Sequence, residues 1–146
     1  MLKTCLLKKD ICDTIAAMPN LTYMAKIVQI TGLTEYLRRF GPFTLFAPDD
    51  DAFDKAPHCV LKLFNNDCRA MLDIFKYHII AKKKAFADDI IQADELTTIS
   101  GDNLTITTKY GRFLVDTARV RQTDIECSNG IIHIIDSVML PARTSD

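Results

Sequence analysis

Apolar residues in the first third of the chain recur at helical spacing. Ile11, Ile15 and Met18 fall at i, i+4 and i+7 behind Asp10, a residue suited to cap a first turn. Pro19-Asn20 interrupts, and Leu21, Met24, Ile27 and Val28 then draw a second stripe that ends at Gly32. Thr34 is placed to cap a short third helix that carries Leu33, Leu37 and Phe40 inward, and Gly41-Pro42 stops it. Residues 43–47 are apolar on both faces and predict a short buried strand closed by Pro48. Asp49-Asp50-Asp51 reads as the start of a helix, because carboxylates satisfy the free N–H groups of a first turn. A helical turn is expected at 60–64. A stronger helix begins at Asp67, with Cys68, Met71, Leu72 and Phe75 on one face, and runs into an extended segment at Tyr77-His78-Ile79-Ile80.

Beyond a turn at Lys82-Lys83-Lys84 the pattern predicts strands to the end: 96–99, 104–108, 113–115, 118–120 and 123–127. Asn129-Gly130 predicts a type I′ hairpin, whose two central residues both need positive φ. The strand after it carries four isoleucines and one histidine. Alternation puts Ile131, His133 and Ile135 on one face and Ile132 and Ile134 on the other, so it should be central and covered on both sides. His133, flanked by isoleucines, must find a hydrogen-bond partner inside the protein. Helices first and strands after, with short connections, argue for an α+β fold.

Length and charge narrow the function classes. A chain of 146 residues is read as an extension at 1–9, one domain at 10–141 and a tail at 142–146. Its net charge of −1 gives no general attraction to nucleic acid or anionic lipid, and the lysine clusters at 8–9 and 82–84 read as solvated turns. No apolar run is long enough to be a transmembrane segment, and the N-terminus lacks the apolar core of a secretory signal. The chain is therefore expected either to stay inside the cell or to have been trimmed. The five cysteines (Cys5, Cys12, Cys59, Cys68, Cys127) cannot all pair with one another and show no C-x-x-C spacing. Free buried thiols are expected, which leans towards a reducing compartment.

Candidate chemistry is sparse. The triple aspartate lacks the alternate ligands, central glycine and distal glutamate of a calcium loop. Cys127 or Ser128 with His133 makes a nucleophile and base on paper, but Cys127 and His133 lie on opposite arms of the expected hairpin. His58, His78 and His133 show no metal-ligand spacing, and no glycine-rich phosphate loop is present. No catalytic residue, metal ligand or cofactor is assigned.

Two segments carry a family pattern. Gly41-Pro-Phe-Thr-Leu-Phe-Ala-Pro-Asp-Asp-Asp-Ala-Phe53 resembles the first signature of the fasciclin domain family, and Asn129-Gly-Ile-Ile-His-Ile-Ile-Asp-Ser-Val-Met-Leu-Pro141 resembles its second. Tyr77-His78 stands where that family has a Tyr-His motif, and 96–101 and 115–120 match its intermediate strands. Asp49 replaces a common Thr or Ser, and Cys127 a usual small residue. The resemblance implies a wedge: a β sandwich of about seven short strands with several helices packed along one edge. It also implies a non-enzymatic module for adhesion or ligand display. Its partner would be a cell-surface or matrix protein or a glycan, contacted by a monomer that is extracellular, on the cell surface or in the periplasm. A cytoplasmic or periplasmic single-domain version, binding a small molecule or a protein, is the alternative. In animal matrix members the Tyr-His motif is implicated in integrin binding, which makes Tyr77, His78, Phe75, Ile79 and Ile80 the expected partner-binding set. The competing reading buries both rings at a helix-to-strand junction. Thr44, Asp49, Asp50, Asn129, Gly130, His133 and Asp136 form the expected structural signature. In it the two segments pair in space and His133 bonds to Thr44 or Asp50.

Overall fold

The isoleucine strand forms the centre of the sheet. In the computed structural model β7 (Gly130–Ile135) is buried at every position and lies between β1 (Phe43–Pro48), parallel to it, and β6 (Ala118–Cys127), antiparallel. Burying each isoleucine side chain contributes roughly 1.5–3 kcal/mol. The register sets Leu45 beside Ile132, Phe46 beside His133 and Ala47 beside Ile134, so the two signature segments do pair. The structure describes residues 10–39, 42–55, 72, 74–81, 84–93, 95–99, 101–109, 112–116 and 118–138. The expected extension 1–9, the tail 142–146, the helical turn at 60–64 and the helix start at Asp67, Cys68 and Met71 lie outside the described residues, as do Phe40, His58, Cys5 and Cys59.

The remaining strands are β2 (Ile79–Ala81), β3 (Glu95–Thr97), β4 (Asn103–Lys109) and β5 (Arg112–Val115). All seven join in the order β2-β1-β7-β6-β5-β4-β3. The sheet folds over so that its ends meet. Ile99, just past β3, donates its N–H to Ile79 O in β2 at 2.9 Å. Phe46, Ile80 and Ile135 share one apolar cluster with Leu96, Leu104 and Phe113 from the far end. The opposite face, with Leu45, Ala47, Ile132 and Ile134, packs under α1 (Ile11–Ala17), α2 (Thr22–Ile30) and α3 (Leu33–Arg39). The fold is α+β, as expected.

Local chemistry explains most boundaries. Asp10 caps α1 by accepting from Asp13 N, and Asp49 caps α4 (Asp50–Asp54) by accepting from Ala52 N. Gly32, with φ of +80°, turns the chain from α2 into α3. Thr34 is no cap: α3 already begins at Leu33, and the Thr34 hydroxyl donates back to Val28 O. The expected turn at Lys82-Lys83 lies outside the described residues, and the segment from residue 84 on is not all β, because α5 (Ala87–Gln92) intervenes. Asp89 takes the N–H of Phe86 and Asp124 that of Ala87, so the start of this helix is satisfied partly from β6. Only Ile90 of α5 is buried, too little periodicity to read from sequence. The strands expected at 118–120 and 123–127 are one strand, bent by register shifts around Asp124, whose φ is +59°.

Asn129-Gly130 is also corrected. Cys127 pairs with Gly130, which puts Ser128-Asn129 at the turn, and neither Asn129 nor Gly130 has positive φ. Glycine is needed for space: a Cβ at position 130 would lie 2.3 Å from Phe43 O and 2.5 Å from Ile11 Cδ1. Gly130→Ala should therefore destabilise the fold by about 2 kcal/mol or more through overpacking. Urea denaturation checks this, and a variant as stable as the parent would show that β1 and α1 yield freely.

Candidate functional site

One polar group from each signature converges on the backbone of buried Ala85. Ala85, after β2, donates its N–H to Thr44 Oγ1 at 2.8 Å, and its carbonyl takes the Nε2–H of His133 at 2.7 Å. His133 Nδ1 in turn accepts from Asp124 N at 3.2 Å, which defines a neutral imidazole with its proton on Nε2. Burial lowers the pKa of this ring, outweighing the Ala85 carbonyl and the nearby Asp124 carboxylate, and Phe46 stacks on it at 5.6 Å. His133 thus finds its interior partner, but that partner is neither Thr44 nor Asp50. A backbone group from between the two signatures takes that place.

The other signature residues also hold backbone. Asn129 accepts from Ile11 N at 2.8 Å and donates to Leu37 O at 2.7 Å, tying α1 and α3 to the hairpin. Asp50 accepts from the Thr22 hydroxyl and Tyr23 N, capping α2 from outside because Leu21 has no capping side chain. Asp49 is buried and paired with Arg121 at 3.2 Å. Asp136 exchanges two hydrogen bonds with the backbone of Arg119.

The expected partner-binding set lies inside. His78 is 0% exposed and Tyr77 6%, and Phe75, Ile79 and Ile80 are buried with them. His78 Nδ1–H donates to Ile74 O at 3.0 Å and its ring stacks on Phe75 at 5.0 Å. Burial lowers its pKa to about 4. The Tyr77 hydroxyl donates to Asp116, and burial followed by that bond pushes its pKa up. The helix-to-strand junction turns both rings into the core, so these side chains form interior packing rather than exposed surface.

The paired nucleophile and base do not come together either. Cys127 is buried, its thiol donates to Thr14 Oγ1 at 3.4 Å, and burial raises its pKa. Cys12 is likewise buried and unpaired, its pKa raised to about 11 by burial first and the Asp10 charge second. Among the described residues no cluster of three His, Cys, Asp or Glu is placed to hold a metal ion. No described helix is long and apolar enough to cross a membrane.

What reaches the surface beside Tyr77-His78 is a groove of about 320 Å³ where α2 turns into α3. Gly32, Tyr36, Leu72, Lys76 and Ile99 line it. Lys76 immediately precedes Tyr77, and Ile99 is the residue that hydrogen-bonds Ile79, so the groove lies against the buried motif. Sequence reasoning missed it because its walls come from three separate segments, none with a motif.

The profile of the fasciclin domain matches residues 19–141. The chain belongs to the fasciclin domain family. Protein sll1483 of Synechocystis sp. is 33% identical over 133 residues, covering 90% of this domain and 73% of that protein. Human periostin is also 33% identical over 133 residues, but this fasciclin domain spans only 16% of it. A FAS1 domain pair from the insect cell adhesion molecule fasciclin I shares the fold, with a TM-score of 0.78 at 21% identity over 94% of this chain and 53% of that one.

Two outcomes follow from the buried groups of this fasciclin domain. Thr44→Val leaves the Ala85 N–H buried and unsatisfied and should cost about 1–3 kcal/mol, read by urea denaturation; an unchanged midpoint would mean that water replaces the hydroxyl. The second concerns pH. Both described histidines have folded pKa values below 6.5, so under that pH the unfolded chain binds protons that the folded one refuses. Stability is therefore full above pH 6.5 and falls as pH drops towards 4, the folded value for His78. Between about pH 7.5 and about pH 5 the loss from His78 alone should be about 2 kcal/mol. Equal unfolding midpoints at the two pH values would contradict the buried neutral state.

Proposed function

We propose that this fasciclin domain is a non-enzymatic binding module that makes protein contacts at the cell surface or in the surrounding matrix, through its outer face rather than an internal site. The observation that carries this reading is the fate of the signature groups. Thr44, His133 and Asn129 terminate on the protein's own backbone, and Cys127 and His133 face separate partners, so none is presented to a substrate. The likeness in fold to a domain pair from an insect cell adhesion molecule supports the same reading. The Tyr77-His78 stretch then acts from beneath, holding the groove that contains Lys76 and Ile99. One such face gives weak affinity as a monomer, and binding strengthens when several copies are displayed together.

A second reading is a cytoplasmic or periplasmic single-domain protein whose partner is a small molecule or another protein. Two Synechocystis relatives favour it, since this chain spans 73% of one and 84% of the other and is 33% and 36% identical to them. Cell attachment separates the two readings. Surfaces coated with the native domain should hold intact cells of the source organism at several times the level of the heat-denatured domain. Attachment no better than to the denatured coating would remove the adhesive reading.

A further inference from the structure

We propose that the groove where α2 turns into α3 takes a short peptide segment of a partner protein in which an apolar side chain is followed by a carboxylate. This rests on the binding-module reading above and names the chemistry of the partner. The groove is walled by the carbon skeletons of Tyr36, Leu72 and Ile99 and by the bare backbone at Gly32, where nothing lies within 4 Å of the position a Cβ would take. Its one charged lining residue among those described is Lys76. The ammonium makes no ion pair with any described residue, and none of the described residues that line the groove is acidic.

Apolar walls beside the Lys76 ammonium complement an apolar group carrying a negative charge, and the same charge disfavours basic segments. Ile30, directly before Thr31, is 44% exposed and adds apolar surface at this end of α2. At about 320 Å³ the groove is at the small end of ligand sites. It is also open to solvent, so it suits one or two side chains of a chain lying across it better than an engulfed small molecule.

The test is nitrogen-15 NMR of the whole chain, titrated with three blocked dipeptides: acetyl-Leu-Glu-amide, acetyl-Leu-Gln-amide and acetyl-Leu-Lys-amide. The glutamate peptide should shift the amide signals of Gly32, Lys76 and Ile99 and bind up to about fivefold more tightly than the glutamine peptide, the range of an exposed ion pair. In Lys76→Glu the order should invert, the lysine peptide becoming the tightest. Shifts absent from these residues, or an order that Lys76→Glu leaves unchanged, overturn the proposal. A domain that holds cells but ignores all three peptides loses this inference alone. One that binds the glutamate peptide in the groove but holds no cells keeps it and loses the adhesive role.

Discussion

One residue, Ala85, holds the two halves of the sheet centre together through its own backbone N–H and C=O. Its N–H goes to Thr44 in β1 and its carbonyl to His133 in β7, so strands distant in sequence share a single hydrogen-bonding station in the interior. Inside a low-dielectric core each of these bonds is stronger than in water, and each unmade bond is correspondingly costly. Two otherwise apolar strands of isoleucine and phenylalanine pack nearly as well one step out of register. A slip would strand the hydroxyl, the imidazole and both backbone polar groups of Ala85, and that penalty selects one pairing.

The same logic extends outward from that station. Asp124, in a left-handed conformation, offers its N–H to His133 and its carboxylate to the first turn of α5, so the bend in β6 places a helix as well as an imidazole. Asn129 binds α1 with one end of its amide and α3 with the other. Asp50 caps a helix to which it does not belong. Polar side chains here serve as joints between elements, each using a helix end or strand end that would otherwise be unsatisfied.

With the signature groups committed in this way, the contacts proposed for this domain fall to its outer surface. The Tyr77-His78 stretch illustrates the point. The His78 ring packs on Phe75 and edge-on to Tyr77, whose hydroxyl reaches Asp116 just past β5, in the other half of the folded sheet. The hydrogen bond from Ile99 to Ile79 ties this stretch to the wall of the groove beside it.

The chain order of residues was enough to establish the helical stripes of α1 and α2, the cap of α1 at Asp10, the central isoleucine strand, the need for an interior partner at His133 and the family signatures. All of these depend on periodicity or on a residue's own chemistry, which are local. It was not enough for α5, whose single buried residue leaves no period to read, nor for the continuity of β6, since a bulge looks like a break. The role of Gly130 was hidden as well: Asn-Gly suggests a conformational need, whereas the need is room for Phe43 and Ile11. Ala85 bears no signal at all, because its contribution is backbone and every residue has one. Which peptide His133 reaches, whether Tyr77 and His78 face in or out, and where separate segments leave a groove were decided only when the sheet folded over on itself, for these are distances between residues that sequence does not relate.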